Sequence, residues 1–154
     1  AQKQSVGGNV LIKTKIENGK GSMTMQGQNQ EMQPAQYEEA VLNSFLFPEA
    51  VYAKMGYSLT FDGLKDVDGT PAYKVIISTP AGAKLTNYYA QDSGLKIKYE
   101  NPASGDTFYS DYQEKEGVLL PMAWTIKSPM IPVPLEAKVT SMELNGPVTE
   151  ADLD

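Results

Sequence analysis

From Gly56 to Asn145 apolar and polar residues alternate in short runs, separated by clusters of turn-forming residues. A two-residue period places alternate side chains on opposite faces of an extended chain, so each run predicts a one-sided β-strand. Tyr57, Leu59 and Phe61 share a face in this scheme, as do Tyr73, Val75 and Ile77, and then Leu95, Ile97 and Tyr99. Segments 107–114, 122–127 and 135–144 continue the series. The connectors Asp66-Val67-Asp68-Gly69, Pro80-Ala81-Gly82, Asp92-Ser93-Gly94, Ser104-Gly105-Asp106 and Glu116-Gly117 are rich in residues that tolerate turns, so successive strands should run antiparallel.

Ahead of this meander, Asn9–Glu17 alternates as well, and Asn18-Gly19 suits the positive φ of a tight hairpin, with residues 22–28 returning. Pro34 then suits a first helical turn, and 35–44 carries Tyr37, Ala40, Val41 and Leu42 near helical spacing. Glu38 and Glu39 favour the positive end of that helix dipole. The helix should stop before Phe47-Pro48, with Phe45, Leu46 and Phe47 forming a buried apolar knot and 48–55 adding a further helical turn. The expected architecture is a mainly β, α+β domain. It is a curved antiparallel meander or half-barrel of about nine strands, with one short helix after the first hairpin.

At 154 residues the chain fits a single domain able to bury a core without disulfide or metal staples. Apolar content of 41% and charged content of 21% fit a globular protein, and no apolar run approaches the roughly 20 residues of a transmembrane helix, so no span is expected. Thirteen scattered basic residues against nineteen acidic ones disfavour nucleic acid, whose phosphates need clustered cations. The absence of cysteine suits either a cytosol or an oxidising envelope. In Ser128–Pro134, three prolines deny ladder hydrogen bonds while Met130, Ile131 and Val133 keep the segment apolar. It reads either as a loop folded over a core or as a lip over an apolar cleft. Residues 148–154 read as an acidic tail.

With no histidine and no cysteine, the commonest general base, metal ligand and thiol nucleophile are missing. Asp66-Val67-Asp68-Gly69 has a flavour of a calcium loop but lacks the further oxygen ligands, so a turn explains it better. Met23, Met25 and Met32 raise thioether ligation of Cu(I), against which core packing is the simpler account. Asp106, Asp111, Glu114 and Glu116 lie close in sequence, and Asp111 could accept a phenolic hydrogen bond from Tyr109 or Tyr112. They read as solvated strand and turn residues, and no catalytic residue, metal or cofactor is expected. Nine tyrosines, concentrated in the later meander, fit either cross-strand stacking or a ligand platform.

Taken in order, residues 67–75 (VDGTPAYKV), 92–96 (DSGLK), 109–112 (YSDY) and 117–121 (GVLLP) form a series that resembles the outer-membrane lipoprotein-carrier superfamily. More closely, the chain is similar to a non-catalytic C-terminal module of insulinase-type zinc peptidases and of Bacteroidetes-like envelope proteins. Residues 134–145 match the P-L-E-x-K-V-x-S-x-E-x-N ending of that module. The inverted H-x-x-E-H zinc motif is absent. The family fold also begins with a helix and strands that residues 1–8 are too short to supply. The resemblance therefore implies the C-terminal portion of a longer domain or protein. It also implies an unprotected edge near Val10–Ile16 that invites homodimerisation.

In the carrier family an incomplete curved sheet wraps an apolar cavity for acyl chains. The corresponding positions here are Tyr73, Val75, Ile77, Leu95, Ile97, Tyr99, Met122, Trp124, Ile126 and Leu135, with Ala137 and Val139 beside them and Met130 and Ile131 in the proline-rich loop. The same positions would also serve as core beneath the helix. The implied function is a non-enzymatic binding module, periplasmic or outer-membrane associated, taking a lipid, a lipoprotein acyl chain or a protein partner on its concave face. The alternative is an accessory domain that positions substrate for, or holds together, the catalytic domains of a zinc peptidase.

Overall fold

The computed structural model describes residues 2–6, 9–17, 19–25, 27–129 and 132–142, with the backbone alone at 2–6, 9–12 and 35. The chain divides into two compact units, the first running to Tyr52 and the second starting at Ala53.

The first unit holds a four-stranded antiparallel sheet of β1 (Gln2–Val6), β2 (Asn9–Glu17), β3 (Lys20–Met25) and β4 (Gln28–Glu31), in sequence order. Pairing of Glu17 with Lys20 closes the first hairpin across a turn in which Gly19 takes φ +77°. Pairing of Met25 with Gln28 closes another, with Gly27 at φ +80°. The expected single strand over 22–28 is therefore broken, because Gly27 accepts a left-handed conformation that a side chain disfavours. The expected free edge at Val10–Ile16 is overturned. Gln2–Val6 pairs with β2, which lies inside the sheet with neighbours on both sides.

Helix α1 (Pro34–Leu42) begins with a capping box in which Gln36 Oε1 accepts the Gln33 backbone N–H at 2.9 Å. It packs on the face of β3 that exposes Gly21. A Cβ built there would stand 2.6 Å from Met32 Sδ and 2.9 Å from the Tyr37 ring. The absent side chain is what lets the helix approach, and Met32 fills space at that seat as packing would require. After the helix, Pro48–Ala50 forms one 3₁₀ turn. The expected burial of Phe45, Leu46 and Phe47 is not observed, since all three are exposed. The chain leaves α1 through turns at Ser44 and Phe45, whose backbone N–H groups bond to Val41 and Leu42. The three side chains thus follow the helix instead of lying on its packed side.

The second unit is a seven-stranded antiparallel meander, ordered β11-β10-β9-β8-β7-β6-β5. Its strands are β5 (Ser58–Val67), β6 (Thr70–Ser78), β7 (Lys84–Ala90), β8 (Lys96–Asn101), β9 (Gly105–Lys115), β10 (Val118–Lys127) and β11 (Leu135–Lys138). The first and last strands do not pair, so the sheet stays open. Among the described residues, eleven strands and one α-helix make this a mainly β antiparallel meander, as expected. The last strand stops at Lys138 instead of reaching Leu144, after which Val139 N–H still bonds to the Met122 carbonyl at 2.8 Å.

Two tight turns show why these strands return. Asp68 and Gly69 both take positive φ, and Asp66 Oδ1 accepts the Gly69 N–H at 2.9 Å. Such a turn matches the natural strand twist, and the calcium-like Asp66–Gly69 sequence is a hairpin. Glu116 and Gly117 repeat the same pattern between β9 and β10.

Candidate functional site

Register decides which side chains share a face of the second unit. Leu59 lies opposite Ile77, and Phe61 opposite Val75. Ile77 in turn faces Leu85, Val75 faces Asn87 and Tyr73 faces Tyr89. Asn87 is paired with Tyr99, Tyr99 with Thr107, Thr107 with Ile126, and Tyr109 with Trp124. Trp124 then faces Ala137, and Ile126 faces Leu135. Directly opposed residues in an antiparallel sheet project to the same side, so these side chains form one continuous, largely apolar face. An extra residue between Phe61 and Leu64, with Gly63 at φ +81°, resets the phase of β5 and brings Leu64 opposite Tyr73 on that face too.

Burial varies across the face. Ile77, Leu85, Asn87, Leu120 and Met122 are buried. Toward β5 the face opens, with Leu59 56%, Phe61 64%, Leu64 51% and Tyr73 38% exposed, and on β11 Leu135 is 49% exposed. Phe61 and Tyr73 stand with ring centroids 6.1 Å apart and tilted by 58°, a favourable aromatic pairing. Two asparagine–tyrosine pairs interrupt the apolar surface: Asn87 Nδ2 donates to Tyr89 Oη at 2.8 Å, and Asn101 Nδ2 to Tyr99 Oη at 3.4 Å.

The opposite face is charged. Lys98 Nζ bridges Glu100 at 2.6 Å and Asp106 at 3.0 Å, and sits 5.5 Å from the Tyr88 ring centroid and 5.1 Å from that of Phe108. Burial pulls the Lys98 pKa down, but the hydrogen bonds and charges of Glu100 and Asp106 outweigh it and hold it above the ordinary lysine value. Burial, then the Glu100 charge, pushes the Tyr88 phenol up. Nearer the edge, Lys74 pairs with Asp62 at 2.9 Å, and its hydrogen bond and charge hold the Asp62 carboxyl below the usual range. Lys127 lies 4.4 Å over the Phe108 ring. One side of the sheet thus keeps its charges mutually engaged, and the other is largely hydrocarbon, with Lys96 opposite Tyr89 and its Nζ 5.2 Å from the Tyr109 ring centroid.

Of the sequence-predicted positions, Tyr73, Val75, Ile77, Tyr99, Trp124, Ile126 and Leu135 are brought onto the apolar face by register, and Ile97 and Met122 join by strand alternation. Leu95 precedes β8, with its carbonyl accepting the Ala90 N–H at 2.9 Å. A register shift between Tyr88 and Tyr89 breaks the alternation that would have aligned it with Ile97. Met130 and Ile131 lie outside the described residues. Leu59, Phe61 and Leu64 belong to the face but were not among the candidate positions. The alternation of Leu59 and Phe61 is visible in the sequence, whereas for Leu64 the phase change at Gly63 is the missing signal. Tyr112 donates its hydroxyl to the Lys96 carbonyl at 2.6 Å, so it does not serve Asp111, which instead accepts from Gln113 Nε2 at 3.1 Å.

In the first unit, an open depression of about 430 Å³ is lined by Lys15, Glu17, Lys20, Ser22, Asn29 and Glu31, with the Gly21 backbone. Its lysines and glutamates balance, and Lys15 pairs with Glu17 at 3.1 Å. Among the described residues no helix is long and apolar enough to cross a membrane, and no cluster of three or more carboxylates is arranged to hold a metal.

An open antiparallel sheet with one apolar and one charged face is an architecture suited to binding. No protein-family model and no curated protein matches the chain. Among solved structures it is similar to a DUF1329 family protein from Desulfovibrio piger, with a TM-score of 0.61 and 10% identity over 88% of this chain. At that identity the likeness concerns the fold. The chain spans 62% of that protein's length.

Proposed function

We propose that this chain is a non-enzymatic binding module of the cell envelope, periplasmic or outer-membrane associated, whose apolar sheet face takes a lipid or lipoprotein acyl chain. The carrying observation is that Leu59, Phe61, Leu64 and Tyr73, on the neighbouring strands β5 and β6, are all large, apolar and exposed on one face of the sheet. Scattered exposed apolar residues are ordinary, whereas a grouped set marks an interaction surface. The resemblance to lipoprotein carriers supports an acyl chain as the occupant. A long hydrocarbon can lie along such a face without needing hydrogen-bond partners.

Trp124 is the chain's single tryptophan and lies on this face, so it reports binding directly. Titration with a fluorescent long-chain fatty acid should give saturable energy transfer from Trp124, and Phe61→Glu should weaken it at least tenfold. Absence of transfer up to about 100 µM probe, on the scale where specific binding exceeds about 5 kcal/mol, would reject the acyl ligand.

A further inference from the structure

The two sheets end in four edge strands, and they differ sharply. β4 has four residues, all polar, and β1 has five. β11 also has four, follows Pro132 and Pro134, and carries Glu136 and Lys138. Short length, proline and charge are the usual devices that stop a sheet edge from recruiting another strand. β5 has ten residues and no proline, and among the described residues no strand pairs with its outer edge. Its bulge divides it. Beyond the bulge lie Lys65 and Asp66, while Ser58–Phe61 is regular, paired residue by residue with 75–78, and exposed throughout.

We propose that residues 58–62 of β5 pair antiparallel with the same residues of a second copy, about a two-fold axis through Thr60. Register identifies the occupant. With Thr60 opposite Thr60, Leu59 of each copy meets Phe61 of the other on the apolar face, twice. On the other face two threonine hydroxyls meet, and each Ser58 hydroxyl comes opposite an Asp62 carboxylate, which has lone pairs to accept it beyond its bond to Lys74.

Competing registers fail on charge or pattern. Centring on Asp62 opposes two carboxylates, and centring on Leu64 sets Asp62 against Asp66. Centring on Phe61 puts Leu59 against Gly63 and takes both bulge residues, Asp62 and Gly63, into the paired stretch, whereas the Thr60 register meets the bulge only at its end. A one-residue slip sets the apolar face of one copy beside the charged face of the other. The Thr60 arrangement continues the apolar faces of two sheets into one, as an isologous dimer. Five paired residues bury far less than the about 1,600 Å² of a standard interface, so the dissociation constant should fall between about 1 µM and 1 mM.

Sedimentation equilibrium from about 1 µM to about 1 mM protein should show a monomer–dimer equilibrium that Thr60→Lys abolishes by opposing two cations at the axis. Because the chain has no cysteine, Thr60→Cys gives a single thiol. Opposed residues on antiparallel strands stand about 4.5–5.5 Å apart at Cα, within disulfide reach. Diamide should therefore link the Thr60→Cys protein into dimers, and link Lys84→Cys, an exposed control, far more slowly. A monomer at every concentration overturns the proposal. So does a dimer that survives Thr60→Lys, or cross-linking no faster at Thr60→Cys than at Lys84→Cys. Thr60 projects to the charged side, so these variants spare the proposed acyl face and the two readings fail independently.

Discussion

Gly105, at the start of β9, and Gly117, in the turn between β9 and β10, both hold positive φ, yet they should respond very differently to a methyl group. At Gly117 (φ +81°) an added Cβ meets nothing within 4 Å, leaving only backbone strain of about 1 kcal/mol. At Gly105 (φ +108°) it would collide with the Lys127 carbonyl and lie 2.8 Å from Ser128 Cα. Both obstacles are backbone, which does not yield, so Gly105→Ala should cost about 3 kcal/mol or more in urea unfolding. Lys98 offers a second test. Lys98→Met strands two carboxylates and should cost about 2 kcal/mol near neutral pH. Its folded pKa is raised, so the stabilisation is complete below the ordinary value of 10.5 and fades as pH rises through the folded value. The stability gap between wild type and variant should therefore hold constant to about pH 10 and shrink above it. A gap that instead grows with alkalinity would contradict the raised pKa. The glycines were visible in the sequence as turn residues. The collision at Gly105 was not, because Lys127 and Ser128 reach it only through the pairing of β9 with β10.

For elements, the seat of α1 on β3 is the informative case. Gly21 reads in sequence as one more hairpin glycine, but it is the gap into which Met32 and Tyr37 fit. Gly21→Val should lift the helix at a cost of about 1–3 kcal/mol. Hydrogen exchange would then speed at the α1 amides of Tyr37 and Asn43, which bond to Gln33 and Glu39 carbonyls. Amides of β6 and β7 lie in the other compact unit and should keep their protection. The helix itself was legible, because Pro34 and the apolar spacing mark it. The fate of Phe45, Leu46 and Phe47 was not, since hydrophobicity favours burial and only the turn after Leu42 determines where the side chains point. Strands β1 and β4 were hidden for another reason: Gln2–Val6 and Gln28–Glu31 are short and mostly polar, and pairing rather than patterning makes them strands.

Across the whole molecule, one apolar face carries both core and candidate surface, and stability measurements can separate the two. Ile77 is fully buried, and Ile77→Ala should cost about 3 kcal/mol. Phe61, 64% exposed on the same face, should change stability by less than about 1 kcal/mol as Phe61→Ser while weakening acyl-probe binding. Equal destabilisation by both would make the whole face core and remove the basis for a ligand. The sequence by itself determined the class of fold, because a two-residue period and turn residues at regular spacing leave an antiparallel meander as the economical arrangement. It also determined which positions within each of β6, β8, β10 and β11 point to a common side, since alternation is local, while register joined those sides across strands. Tertiary structure decided the rest. Which members of that face are buried depends on what lies across each strand. The phase of Leu64 depends on the bulge at Gly63, and the shielding of β2 depends on the pairing of β1. Each is a relation between residues distant along the chain or offset by a single backbone dihedral, to which a local pattern of polarity is blind.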